Sequence, residues 1–119
     1  MKGSGEKGMR GEDEALQYFV ENGYLLLEKR FRALGGEVDL ILEKDGVLIF
    51  VEVKYRPKGE KGDGFMAVTP IKQRRIIKAA GYYLEKTGGF LKPLRFDVVE
   101  ITGQGLIHVE NAFSGAWDE

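Results

Sequence analysis

The sequence predicts an α/β domain in which two helices pack on a mixed sheet of about five strands, in the order αβββαββ. Three observations carry this prediction. Asp45-Gly46 lies between two hydrophobic runs, which is a strong signal for a β-hairpin. Thr69-Pro70 provides a helix start, and Gly88-Gly89 provides its end. Two further strand-like runs follow this second helix and are joined across residues 102–105.

Each element has its own local signal. Apolar residues at helical spacing predict both helices, the first ending at Gly23 and the second at Gly88. The apolar stripes are Met9, Leu16, Phe19 and Val20 in the first helix, and Ile76, Ala79, Ala80, Tyr83 and Leu84 in the second. The predicted helices span residues 9–22 and 70 to about 86, and the predicted strands span 24–31, 37–43, 47–54, 94–101 and 106–113.

Length and composition limit the possible functions. A chain of 119 residues with 43% hydrophobic residues suits one globular domain, here residues 1–119 with flexible tails at 1–7 and 114–119. The absence of cysteine and the single histidine, His108, exclude disulfides, thiolate metal sites and multi-histidine zinc sites. Any metal would therefore be held by oxygen atoms, which favours Mg²⁺ or Mn²⁺. No segment is typical of a signal peptide or a membrane span, so we expect a cytoplasmic protein without a membrane partner.

The predicted hairpin brings two carboxylates together. With an even number of loop residues, Asp39 faces Glu52. Cβ atoms at such a pair are about 4.5 to 5.5 Å apart, and like charges there destabilise a sheet. A divalent cation between them would remove this cost. The even register also sets Val38, Leu40 and Leu42 opposite Val53, Val51 and Ile49 on one apolar face, and gathers Asp39, Ile41, Phe50, Glu52 and Lys54 on the other.

Two more residues complete a candidate catalytic site. Glu12 lies in the apolar stripe of the first helix, where a carboxylate needs a partner, and it can approach the two strand carboxylates. Lys54 can orient or deprotonate a water, or stabilise the transition state of phosphodiester hydrolysis. The structural alternative is an ion network in which Lys54 and Arg56 neutralise the strand carboxylates. In that case Glu12 is an early-turn acid favoured by the helix dipole.

A basic segment follows the hairpin. Residues 54–78 contain eight Lys or Arg against two acids, a concentration that can hold a phosphate backbone. Lys72 precedes Ile76 by one turn and can project along the sheet surface. The alternative is a solvated loop and helix face. The candidate nucleic-acid contacts are Arg56, Lys58, Lys61, Lys72 and Arg75.

An acid, a hairpin and then Glu-x-Lys is the pattern of the PD-(D/E)XK nuclease superfamily. Here it reads Val38-Asp39 followed by Glu52-Val53-Lys54, without the usual proline. With further segments from Gly8 to Phe113, the chain closely resembles the YraN-like bacterial family, whose core is similar to that of archaeal Holliday-junction resolvases. Those segments are Gly11-Glu12, Gly23-Tyr24, residues 36–41, residues 50–56, the helix with Lys72 and Arg75, and residues 95–99.

The resemblance implies a restriction-endonuclease-like fold with Glu12, Asp39, Glu52 and Lys54 at the active site. Glu12, Asp39 and Glu52 would hold Mg²⁺ or Mn²⁺. The implied activity is metal-dependent cleavage of DNA, more than RNA, with branched or structured DNA among the expected substrates. Asp97 is a further candidate on the resemblance alone.

Other functions are compatible with the same residues. One is a nucleic-acid-binding protein of nuclease fold without efficient catalysis, and another is an adaptor that uses an edge strand and Trp117. A homodimer is also compatible with the sequence. Arg95 and Asp97 alternate with apolar residues and suit a mutual support pair, while His108 suits a structural role.

Overall fold

A computed structural model describes residues 4–58 and 68–115, with side chains from Gly11 onward. Lys61 and Trp117 lie outside the described residues. None of the helices in the described ranges is long and apolar enough to cross a bilayer. The elements are α1 (Ser4–Glu21), β1 (Leu25–Ala33), β2 (Gly36–Lys44), β3 (Val47–Arg56), α2 (Pro70–Thr87), a short 3₁₀ turn (Gly89–Leu91), β4 (Leu94–Thr102) and β5 (Gly105–Phe113).

The five strands form one sheet in the order β1-β2-β3-β4-β5. Strands β3 and β4 pair in parallel, and the other neighbours pair antiparallel. Helix α2 lies in the connection between the two parallel strands, as a parallel pair requires. The predicted α/β class and the order αβββαββ are confirmed, and the arrangement is compatible with a restriction-endonuclease-like fold.

Helix α2 begins and ends where its sequence signals predict. The Thr69 hydroxyl accepts a hydrogen bond from the backbone N–H of Lys72, and Pro70 is the first helical residue. Gly88 closes the helix in the left-handed conformation, with φ of 74°. These caps fix the position at which Lys72 enters the first turn.

The register of the β2–β3 hairpin is the predicted one. Leu40 pairs with Val51 and Ile41 with Phe50, around a two-residue turn at Asp45-Gly46. Continued by one residue, this register sets Asp39 level with Glu52. The Asp39 Oδ2 atom accepts a hydrogen bond of 2.7 Å from the Val53 backbone N–H. Where the β2–β3 ladder ends, the Asp39 side chain therefore replaces a backbone carbonyl as the acceptor for a β3 N–H.

A hydrophobic cluster lies on each face of the sheet. Helix α1 covers the face that carries Leu40, Leu42, Ile49 and Val51, with Ala15 and Phe19 fully buried against it. Helix α2 covers the other face, where Ile41, Phe50, Phe96, Ile76, Ala80 and Leu84 pack together. The sheet is therefore a middle layer between two helices.

The structure corrects three details. Val38 packs with Ile41 and Phe50 rather than with Leu40, because the pleat is interrupted where Asp39 faces Arg30, whose φ is 51°. Val20 is 56% exposed because α1 buries the side of Phe19, and the next residue lies about 100° around the helix. Helix α1 begins at Ser4, so residues 4–7, assigned to a tail from the sequence, are helical.

Candidate active site

A pocket of about 1080 Å³ lies where α1, the β1–β2 turn, β2, β3 and the start of α2 meet. We call it the acidic pocket because four carboxylates line it, and four cations line it with them. The acids are Glu12, Glu37, Asp39 and Glu52, and the cations are Arg30, Arg32, Lys72 and Arg75. Glu12, Asp39 and Glu52, all predicted from the sequence, therefore converge on one cavity.

Glu12 enters the acidic pocket because α1 packs closely on β3. A Cβ atom at Gly11 would lie 2.5 Å from the Tyr55 Cβ, so only glycine permits this approach. The Glu12 carboxylate is buried, and Arg30 Nε donates a hydrogen bond of 2.8 Å to its Oε1 atom. Arg30 is thus the partner that a carboxylate on an apolar stripe requires.

Three carboxylates lie close enough to share a cation. One oxygen each from Glu12, Glu37 and Asp39 can be chosen so that all three atoms lie within 4.8 Å of one another. Sequence reasoning did not select Glu37 as a site residue. The spacing of two residues between Glu37 and Asp39 could have predicted it, because residues i and i+2 of a strand point to the same side. Arg32 Nε donates a hydrogen bond to the Glu37 carboxylate.

Asp39 carries the strongest electrostatic perturbation in the acidic pocket. Burial, and then the negative charge of Glu52, raise the pKa of Asp39 well above its ordinary value. The hydrogen bond from the Val53 N–H opposes this shift without cancelling it. The direction of this shift agrees with the like-charge cost expected between Asp39 and Glu52.

Glu52 lies beside the three-carboxylate cluster and pairs with two lysines. Its Oε2 atom is 3.2 Å from Lys54 Nζ and 2.7 Å from Lys72 Nζ. Burial and the neighbouring Lys72 lower the pKa of the Lys54 ammonium, although Glu52 acts in the opposite direction. The ion network expected from the sequence paired the strand carboxylates with Lys54 and Arg56. In the structure Lys72 takes the place of Arg56 beside Glu52, and Arg56 is exposed at the end of β3.

The remaining predicted cations are distributed around the pocket. Arg75 is exposed and lines the acidic pocket, whereas Lys58 is exposed just beyond the end of β3. Lys72 is partly exposed, and its ammonium pairs with Glu52. The structure therefore places Lys72 and Arg75 at the pocket and leaves Arg56 and Lys58 on the adjoining surface.

A second polar cluster lies away from the residues that line the acidic pocket. Asp97 is fully buried and accepts hydrogen bonds from Arg95 Nε at 3.0 Å and from the Asn111 N–H at 2.9 Å. His108 Nε2 lies 2.7 Å from the same carboxylate, and its Nδ1 lies 2.9 Å from the Tyr18 hydroxyl. The support pair and the structural histidine expected from the sequence are both present.

This cluster is electrostatically satisfied. Burial would raise the pKa of Asp97, but the hydrogen bonds from His108 and Arg95 outweigh burial and hold that pKa below its usual range. Arg95 also donates to the Tyr24 hydroxyl at 2.9 Å. The cluster joins α1, β4 and β5, and its contacts account for Asp97 without a catalytic role.

The donor atoms of the acidic pocket fit a hard divalent cation. Carboxylate oxygens are the ligands that Mg²⁺ and Mn²⁺ prefer, and Glu12, Glu37 and Asp39 supply three of them from separate positions. Burial and Glu52 raise the pKa of Asp39, and a bound cation would favour its ionised form instead. Arg30 and Arg32 already neutralise part of the charge on Glu12 and Glu37.

Fold and pocket together define an α/β protein with a buried carboxylate cluster that lysine and arginine surround. Residues 11–101 match a family described as uncharacterised protein family UPF0102. The chain belongs to that family.

Relatives that match over most of their length support the same assignment. A UPF0102 protein of Nitrosococcus oceani is 45% identical over 100 residues, covering 83% of this chain and 81% of the relative. One of Persephonella marina is 41% identical over 109 residues, covering 90% and 92%. One of Syntrophomonas wolfei is 44% identical over 112 residues, covering 91% and 97%. The shared region includes all the carboxylates of the acidic pocket.

Proposed function

We propose that this protein is a divalent-metal-dependent endonuclease of the PD-(D/E)XK superfamily that hydrolyses phosphodiester bonds in DNA. One observation carries the proposal. Three carboxylates converge within 4.8 Å, directly beside a Glu52–Lys54 pair, in a pocket that cations border. Phosphodiester hydrolysis needs charge neutralisation and an activated water, and this set of groups suits both requirements.

Glu12, Glu37 and Asp39 would hold Mg²⁺ or Mn²⁺, and Glu52, whose side chain interacts with Asp39, would be the candidate for a further ligand. The cation would neutralise charge on the phosphate and lower the pKa of the attacking water. Lys54 Nζ has a lowered pKa, which suits it to accept a proton from that water. Burial lowers the pKa of Lys72, but the hydrogen bond to Glu52 acts against burial and the pKa is raised overall, which keeps the ammonium charged for a phosphate oxygen.

DNA would reach the pocket along its basic border. Arg32 and Arg75 are exposed and line the acidic pocket, and Arg56 and Lys58 are exposed at the end of β3. Guanidinium groups pair well with phosphate oxygens and would position the backbone over the carboxylates. Base identity plays no part in such contacts, so they favour recognition of backbone shape.

The test is a cleavage panel of linear, single-stranded, flap and four-way-junction DNA with Mg²⁺ or Mn²⁺. We expect the wild-type protein to cut at least one substrate, and the separate variants Asp39→Ala and Glu52→Ala to lose cleavage by about 10²-fold or more. Asp13→Ala is the matched control, because Asp13 is an exposed acid of α1 outside the pocket lining. Cleavage that survives both pocket substitutions would exclude the proposal.

A second candidate function is nucleic-acid binding without efficient catalysis. The observation that favours it is the pairing of Glu52 with Lys54 and Lys72, which already neutralises a carboxylate that would otherwise face a cation. In this case binding weakens steeply with salt and survives Asp39→Ala. Calorimetric titration with Mn²⁺ separates the candidates, because only the endonuclease requires cation binding that Asp39→Ala abolishes.

A further inference from the structure

Two turns of the sheet have the same backbone geometry but different residues. Each is a two-residue hairpin turn with positive φ at both positions, 53° and 79° at Leu34-Gly35 and 53° and 80° at Asp45-Gly46. Aspartate, asparagine and glycine are the usual residues at the first of these positions. Leucine there is strained, because its Cβ approaches the backbone carbonyl oxygen. The β1–β2 turn therefore carries a residue that the turn itself does not favour.

Burial does not compensate for this strain. Leu34 is 64% exposed, so its side chain gains little from packing. Ile71, in the first turn of α2, is 57% exposed. Both residues line the acidic pocket. Two exposed aliphatic side chains thus border a cavity whose interior is strongly charged, and a strained, exposed residue at such a place points to a role outside folding.

A close backbone contact joins the two elements that carry these side chains. A Cβ atom at Gly36 would lie 2.0 Å from the Arg75 carbonyl oxygen, so the β1–β2 turn rests directly on the α2 backbone. Leu34 is carried by this turn, and Ile71 lies one helical turn before Arg75. Leu34, Ile71, Arg32 and Arg75 therefore border the acidic pocket from two elements that are in direct contact.

We infer that Leu34 and Ile71 pack against the face of an unstacked nucleobase next to the phosphate held in the acidic pocket. This inference rests on the proposed function and names its substrate class, a duplex with an unpaired or easily unstacked nucleotide. A nucleotide matches the border in both of its parts, since the phosphate suits the arginines and the base face suits the aliphatic pair. Leucine and isoleucine are among the side chains that proteins insert at opened base steps.

The experiment compares two duplexes of one sequence, one fully paired and one with a single bulged 2-aminopurine, whose fluorescence rises on unstacking. Ca²⁺ replaces Mg²⁺ during the binding measurements, and Mg²⁺ is used for cleavage. We expect the wild-type protein to bind the bulged duplex about tenfold more tightly than the paired one, and Leu34→Asn to remove this preference. The matched control Leu25→Asn changes a leucine that is 61% exposed outside the pocket lining, and it keeps the wild-type ratio.

Thermal unfolding distinguishes recognition from damage to the fold. Asparagine suits the left-handed position, so Leu34→Asn should unfold at the wild-type temperature or above it while losing the preference. A preserved preference in Leu34→Asn overturns the inference. So does a wild-type dimer that this substitution dissociates while the binding ratio stays constant, because the apolar pair would then contact a second copy of the chain. Equal cleavage of both duplexes overturns the inference alone, whereas absence of binding and cleavage with either duplex overturns the proposed function with it.

Discussion

Asp39 is a residue at which stability and the proposed cation binding have opposite requirements. Its pKa is raised by burial and by Glu52, so between the unfolded and folded pKa values the native state binds more protons than the unfolded state. The stability contributed by this group therefore falls as the pH rises through that range. Wherever Asp39 is ionised, its charge destabilises the cation-free protein, and a bound cation would reverse the sign of this contribution.

Asp39→Asn tests this account at a single position. Asparagine still accepts the hydrogen bond from the Val53 N–H and can donate to Glu52, so we expect the cation-free variant to be more stable at pH 7 by about 1 kcal/mol. We also expect it to lose Mn²⁺ binding. Urea unfolding and calorimetry measure the two effects, with Asp13→Asn as an exposed control. A variant less stable than the wild type would contradict the assigned like-charge repulsion.

At the scale of elements, the contact of the β1–β2 turn with α2 holds the two sides of the acidic pocket together. In Gly36→Ala the new Cβ would meet the Arg75 carbonyl at 2.0 Å, so we expect a loss of about 2 kcal/mol or more in the free energy of unfolding. Gly35→Ala is the matched control. It has no neighbour within 4 Å and carries only the cost of its φ of 79°, about 1 to 2 kcal/mol. Urea denaturation measures the free energy of unfolding of both variants. A larger loss in Gly35→Ala than in Gly36→Ala would contradict the contact.

The Asp97 cluster joins helix α1 to strands β4 and β5. Because the native pKa of Asp97 is lowered, its stabilisation is present above the unfolded value of about 3.9 and is lost as the pH falls through the native value. We expect Asp97→Asn to cost about 3 kcal/mol at pH 7, and the difference from the wild type to shrink below pH 4. Urea unfolding of both proteins at several pH values from 7 to 3 measures this difference in stability. A difference that is constant over this range would show that Asp97 contributes through packing alone.

The sequence predicts those elements whose local signals agree with each other. The β2–β3 register follows from the Asp-Gly turn and the alternation of apolar residues, and it holds from Leu40 to Lys44. Glu12 is predicted because a charge on an apolar stripe needs a partner. The displacement of Val38 depends on the positive φ of Arg30, and the pairing of Lys72 with Glu52 depends on how α2 docks. Both are set by tertiary packing, which no local pattern contains.

At the scale of the whole molecule, a net charge of −1 conceals a separation of charge. If the cationic border of the acidic pocket binds DNA, its affinity falls with rising salt through counterion release. We expect Arg75→Ala to weaken binding and to reduce the salt slope by about 1. Arg74→Ala is the matched control, since Arg74 is an exposed neighbour outside the pocket lining. Equal slopes for the two variants, measured by fluorescence anisotropy, would remove Arg75 from the interface.

Both outer strands of the sheet are bent at a residue other than glycine. Arg30 in β1 has φ of 51° and Asn111 in β5 has φ of 52°, and each strand also has a register shift. Edge strands that are kinked and charged are poor templates for pairing with another chain. Bends at these two positions make strand addition at either edge of the sheet less favourable, which counts against aggregation through the outer strands.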